Sequence, residues 1–154
     1  MVAQLDTKTV YTFMDSLISI KKYVETAKNL GYQTLGIMDI DNLYGVYHFM
    51  ETAIEQGIQP LLGVEMTLDY AGLPLNLRFL ALDSQGYRNL MKLSTLKMIG
   101  KSKWEEFQHL LEGIAVIVSV FEGIEALDLG REFYIGVFSD TPKQAFSHAT
   151  LPLQ

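Results

Sequence analysis

Hydrophobic positions recur along the chain in two periods, and the switches between them outline the elements. Ile20, Tyr23, Val24, Ala27 and Leu30 fall at helical spacing behind Ser19, a good N-cap residue, and stop at Gly31. Thr34–Met38 follows as an apolar strand that ends on Asp39 and Asp41. Val46, Tyr47, Met50, Ala53 and Ile54 then share one predicted helical face, closed by Gly57. Residues 59–70 predict a longer strand, 71–74 a turn and 76–82 its hairpin partner. Helices are predicted over 85–99 and 103–111, split at Gly100. The run "GIAVIVSV", 113–120, is apolar throughout, as in a strand buried on both faces. A short helix over 122–129 and a strand over 133–138 complete the pattern, and Val2–Leu5 is a short apolar start. Strands alternating with helices imply βαβ crossovers, a mostly parallel sheet and an α/β fold. Residues 139–154 lack helical periodicity, and closed α/β barrels usually take more chain than this. The expectation is an N-terminal piece of a larger protein, with a domain over 1–138 and an irregular tail over 139–154.

Composition narrows the function classes. The chain has 154 residues, 49% hydrophobic and 19% charged, which suits one globular domain. Its net charge of −6 argues against autonomous nucleic-acid binding, which relies on cations neutralising phosphates. The tightest basic cluster, Lys97, Lys101 and Lys103, reads as a solvated helix end. With no cysteine, disulfides, thiolate metal sites and cysteine nucleophiles are excluded. No apolar run reaches the roughly 18 residues of a membrane helix, and residues 1–16 do not resemble a secretory signal. No membrane partner and a cytoplasmic location are the expectations.

Strand ends are where parallel α/β folds place ligands. Asp6 follows the first predicted strand and Asp39 the second, Glu65 lies near the end of the third, and Asp15 sits in the first strand-to-helix loop. Four such carboxylates could hold a hard divalent cation. The competing reading makes Asp39 and Asp41 turn residues and helix N-terminal charges, and Asp6 and Asp15 solvated loop acids. Glu65, in an apolar strand, needs a partner in either case. His48, His109 and His148 all lie away from strand ends, and His109 is placed to pair with Glu105 one helical turn earlier. Trp104, Phe107, Leu110 and Leu111 are spaced as core. Walker, G-x-G-x-x-G and G-x-S-x-G motifs are absent.

The stretches "LDTKTVYTFMDS", "AKNLGYQTLGIMDIDNLYG", "GIQPLLGVEMTL" and "LALDSQGYRNLMKLS" are, in this order, similar to the PHP domain at the N-terminus of bacterial DNA polymerase III alpha subunits. The similarity spans residues 4 to about 120, and Tyr87–Ser94 resembles the polymerase branch rather than free-standing PHP phosphatases. It implies a PHP-type distorted (β/α)7 TIM-like barrel, incomplete in this chain. Active members of that family hold metal ions on histidines and acids at the barrel mouth and hydrolyse phosphoesters, in some polymerases as a 3′–5′ exonuclease. Where the family's first motif has His-x-His, this chain has Asp6-Thr7-Lys8, and the acid closing that motif is kept as Asp15. In the second motif Asp39 stays, while Ile40 replaces a histidine. Glu65 remains in the third; Asn76 and Val120 stand at further ligand positions, and a last Asp-x-His pair would fall beyond residue 154. Lys8 would repel a divalent cation and could pair with Asp6, Asp39 or Glu65.

The resemblance therefore implies a degenerate, non-catalytic structural and docking domain of a DNA-directed DNA polymerase, with a residual Mg/Mn-dependent phosphoesterase or exonuclease as the alternative. No catalytic residue, metal ligand or cofactor is expected in this chain; Mg would belong to the polymerase domain of the longer protein. The implied partners are the remaining domains of that chain and other replisome proteins, with DNA contacted mainly by the parent.

Overall fold

A computed structural model of the chain describes residues 3–13, 16–119 and 124–136. Five strands form one sheet in the order β1-β2-β3-β4-β5: β1 (Thr34–Ile40), β2 (Gln59–Tyr70), β3 (Leu73–Ala81), β4 (Ile114–Ser119) and β5 (Tyr134–Gly136). Helices α1 (Ile20–Asn29), α2 (Val46–Glu55), α3 (Ser84–Met98) and the single turn α4 (Trp104–Phe107) pack around it.

The sheet is mixed rather than mostly parallel. β1–β2 and β4–β5 are parallel, whereas β2–β3 and β3–β4 are antiparallel. The first antiparallel pair is the predicted hairpin. Its turn is Ala71-Gly72, with φ of 51° and 87°, the doubly left-handed geometry that suits tightly twisted strands. β3 consequently begins at Leu73, earlier than the predicted residue 76. The second pair arises because two segments, α3 and then residues 101–111, lie between β3 and β4. One returning helix would leave the next strand parallel; the further segment brings the chain back, so that Ala81 faces Ile114.

Local chemistry explains the helix ends. Ser19 caps α1 through Lys22 N, and Asp83 caps α3 through Gly86 N at 2.7 Å. Leu30 terminates α1 as an exposed residue instead of joining its buried face. On α2 the buried face is Val46, Phe49 and Ala53, and Tyr47 and Ile54 point to solvent, contrary to the predicted grouping. The predicted helix over 103–111 divides into α4 and a 3₁₀ turn at Gln108–Leu110, and the one over 122–129 is a 3₁₀ turn at Ile124–Ala126 among the described residues. The N-terminal strand is reduced to a bridge from Gln4 to Leu35. It crosses β1 at Gly36, where a Cβ would lie 2.5 Å from the Leu5 carbonyl oxygen.

Strand alternation gives the sheet two unlike faces. On the helix-covered face, Val64, Met66, Leu77, Phe79, Val116 and Val118 pack with Leu90, Leu93, Trp104 and Phe107. Leu35 and Ile37 pack with Val24, Phe49 and Ala53 of α1 and α2. The opposite, inner face carries a small apolar cluster of Met38, Leu80 and Ala115, with Leu61 against it. Farther along the same face stand Glu65, Asn76, Arg78 and Ser119, and here the surface becomes ionic.

Candidate functional site

The ionic cluster is built by cross-strand register. Glu65 on β2 faces Arg78 on β3, and Thr67 faces Asn76, so four polar side chains meet on one face of the hairpin. The N-terminal segment delivers Asp6 and Lys8 onto them, held by Gly36 N to Gln4 O at 2.6 Å and Met38 N to Thr7 O at 2.9 Å.

Two cations and two carboxylates interlock there. Lys8 Nζ contacts Asp6 Oδ1 and lies 2.7 Å from Glu65 Oε2. Arg78 Nε donates to Asp6 Oδ2 at 2.9 Å, and its Nη2 lies 3.2 Å from Glu65 Oε2. Arg78 Nη1 also donates to Asn76 Oδ1 at 3.1 Å and Ser119 Oγ at 2.8 Å, while Asn76 Nδ2 donates to Glu65 Oε1 at 2.7 Å. The Arg78 and Glu65 side chains are only 11% and 9% exposed, so these charges are compensated by one another more than by water.

Asp39 belongs to a separate network. It lies inside β1 rather than after it, is 2% exposed, and makes no ion pair with Lys8. Its Oδ1 accepts from Thr9 N at 2.7 Å and Thr12 Oγ1 at 2.6 Å, and its Oδ2 from Thr9 Oγ1 at 2.8 Å. Thr12 Oγ1 in turn accepts from Ile40 N at 3.1 Å. The carboxylate thus fastens the 9–12 turn to the sheet.

Asp41 has yet another partner. It adopts φ 57°, its amide donates to Glu65 O at 2.8 Å, and its Oδ1 lies 3.7 Å from Lys97 Nζ. Lys97 also donates to Thr67 O at 2.6 Å; of the three basic residues expected at a solvated helix end, it is the one tied back to the rim. Partial burial pushes the Asp41 carboxyl up from the ordinary range, and Lys97 opposes that shift. A raised folded-state value means that the folded chain holds this proton more tightly. Asp41's contribution is therefore complete below about pH 4 and is lost as pH rises through its folded value. Lys97→Met is expected to move the Asp41 midpoint further up in a carboxyl-carbon NMR titration; an unchanged or lower midpoint would contradict the pairing.

The predicted site residues therefore divide. Asp6, Lys8, Glu65 and Asn76 are brought together, and Asp39 is adjacent in sequence to Ile40 but spent on the threonines. Ile40 ends β1 opposite Glu65 in the parallel register. Asp15 and Val120 lie outside the described residues. Sequence reasoning missed Arg78, Thr9, Thr12 and Ser119. His48 and His109 are exposed, and the acid that finds a cation near α4 is Glu106, 2.7 Å from Lys101.

Metal ions of the kind the resemblance implies do not fit these residues. Both oxygens of Asp6, Asp39 and Glu65 already face an internal donor or cation, and two of the side chains at the centre are cations themselves. Among the described residues no three His, Cys, Asp or Glu side chains converge as a metal site.

Comparison with known proteins places this geometry. Residues 4–143 match the PHP domain, and the chain belongs to that family. It is 46% identical over 156 aligned residues to the DNA polymerase III subunit alpha of Streptococcus pyogenes serotype M1, covering 100% of this chain and 15% of the relative. The DNA polymerase III subunit alpha of Rickettsia bellii is 30% identical over 128 residues, 78% of this chain and 11% of that protein. The chain thus spans less than a sixth of the length of these relatives. Among solved structures, a protein assigned as a metal-dependent phosphoesterase from Bifidobacterium adolescentis superposes with a TM-score of 0.56 at 15% identity, over 76% of this chain and 66% of that one. An amidohydrolase from Chromobacterium violaceum, with bound sulfate and no metal, gives the same TM-score and coverage at 11% identity. At these identities the shared property is the fold, and the five-stranded sheet is consistent with an incomplete PHP barrel.

No helix among the described residues is long and apolar enough to cross a membrane.

Proposed function

We propose that this PHP domain is the non-catalytic structural and docking part of a replicative DNA polymerase alpha subunit, its former metal rim replaced by an internal ion cluster. End-to-end similarity to polymerase subunits supports the first half of this reading. The observation that carries the second is Arg78 and Lys8 seated between Asp6 and Glu65, where two fixed cations do the charge compensation that metal ions would otherwise supply. On this reading Asp6, Lys8, Asp15, Asp39, Ile40, Glu65, Asn76 and Val120 are vestigial metal-site positions.

Nucleotidyl transfer, with its Mg, then belongs to the remainder of the longer chain. That remainder is also the domain's main partner, with other replisome proteins and, through the parent, DNA, in the cytoplasm. Residues 1–138 form the domain and 139–154 lead out of it. The competing reading is a residual Mg/Mn-dependent phosphoesterase or 3′–5′ exonuclease.

The discriminating experiment incubates the 154-residue chain with Mn²⁺ and a 5′-labelled single-stranded oligonucleotide, beside calorimetric titration with Mn²⁺ and Zn²⁺. No shortening and no saturable heat are expected for the wild type. Lys8→His/Ile40→His/Arg78→Gln, which frees both acids and restores neutral donors, is expected to gain saturable binding. Shortening by the wild type that Asp39→Asn abolishes would overturn the proposal.

A further inference from the structure

On α3, the buried face consists of Gly86, Asn89, Leu90, Leu93 and Ser94, which dock the helix on β3 and β4. A second stripe, Arg88, Met91, Lys92, Thr95 and Leu96, runs along its outer side at helical spacing. With His109 and Leu110 of the 3₁₀ turn it encloses a groove of about 540 Å³, within the size range of ligand pockets. Met91 is 43% exposed, and Met98 and Ile99, about two turns on at the end of α3, are 62% and 66% exposed.

The charges bordering this stripe are of one sign. Among the described residues Arg88 and Lys92 form no ion pair: Arg88 donates to Gln85 at 2.8 Å and Lys92 to Asn89 at 3.4 Å, both neutral acceptors. Among the described residues no acid lines the groove. In a chain of net charge −6, these two cations give the groove a local positive border. We infer that this groove docks an acidic amphipathic helix of a partner protein. Its apolar residues would lie along Met91, Leu96 and Leu110, and flanking Asp or Glu would meet Arg88 and Lys92. Methionine side chains suit such a surface because they adapt to the shape of the incoming residue. Charge complementarity selects the acidic helix over a basic or neutral one. This surface lies apart from the ion cluster, and its role does not depend on how that cluster is read.

The test uses the 154-residue chain with ¹³C-labelled methionine methyls. The probe is a helical peptide of about 18 residues, long enough to form helix in isolation, with leucines at i, i+3 and i+7 flanked by glutamates. Saturable shifts of the Met91 methyl, larger than those of Met98 outside the groove, are expected, with affinity about tenfold weaker for Arg88→Glu/Lys92→Glu and falling with salt. A variant peptide with lysines for glutamates is expected to bind at least as poorly. No shift, or equal binding of the two peptides, would overturn the inference. So would the same methyl shifts produced by an oligothymidylate, which would make the groove a nucleic-acid face. Concentration-dependent shifts of the chain alone, with dimers in sedimentation, would make it a self-association face and would overturn it too.

Discussion

Arg78→Met is expected to lower the stability of the domain by about 3–5 kcal/mol, the usual effect of removing one partner from a buried ion pair. The loss follows from what stays behind. Asp6 Oδ2 loses its partner, Glu65 Oε2 keeps only Lys8 as a cation, and Ser119 Oγ and Asn76 Oδ1 lose their donor. Removing Glu65 as well has a different consequence. In Glu65→Met/Arg78→Met the remaining charges, Asp6 and Lys8, balance each other, and the new side chains extend the apolar cluster of Met38, Leu80 and Ala115. Buried ion pairs exchanged whole for apolar residues are often neutral. The double variant is therefore expected to recover at least half of the single variant's loss. Urea unfolding of the four proteins of the cycle measures this as a coupling energy, expected to be at least about 1.5 kcal/mol. Additive losses would show that Arg78 and Glu65 are not partners.

Asp39→Ala is expected to cost about 3–4 kcal/mol, because it strands three buried donors at once. Thr9 N, Thr9 Oγ1 and Thr12 Oγ1 all converge on this carboxylate, and both threonines are buried. Water entering the vacated space limits the loss, which is why the sum is less than three full penalties. Thr12→Val removes one donor and leaves Ile40 N without its acceptor, so about 1–2 kcal/mol is expected there. Amide exchange reads the same event locally. Thr9 N–H is expected to lose protection in Asp39→Ala well before the hairpin amides of β2 and β3 do. Retained protection at Thr9 would mean that the 9–12 turn is held by something other than Asp39.

How far this site could be read in the sequence depended on which interaction placed each residue. Glu65 was conspicuous as a charge in an apolar strand, and its partner could in principle be counted out. Once the turn is fixed at Ala71-Gly72, residues equidistant from it face each other, and Glu65 meets Arg78. Placing the turn over 71–74 left that register unassigned, and Arg78 passed as an incidental charge in "NLRFLAL". Lys8 could be recognised as a cation in an acidic rim, although its choice of Asp6 and Glu65 over Asp39 depends on how the N-terminal segment crosses Gly36. Asp39's true partners are hydroxyls three residues apart, Thr9 and Thr12, a spacing that carries no distinctive signal until the chain is folded. Strand positions were legible because their apolar runs are long, as in Gln59–Tyr70. Strand direction was legible only at the β2–β3 hairpin. Elsewhere the alternation of strand and helix suggests parallel crossovers, and the extra segment before β4 reverses one of them. On α2, Phe49 displaced Tyr47 from the buried face because its ring stacks on Tyr23 of α1, a contact between helices that a single helix's periodicity does not contain.

On the proposed function, Lys8 and Arg78 occupy the rim that metal ions would need. Mn²⁺ titration of the wild-type chain, followed by paramagnetic broadening of amide NMR signals, tests it most directly, because the ion reports its own position. The amides of Thr7, Lys8, Glu65 and Arg78 are predicted to keep their linewidths while exposed acids broaden weakly and without saturation. Selective, saturable broadening of those four amides at micromolar Mn²⁺ would contradict the claim and show that the rim still binds metal.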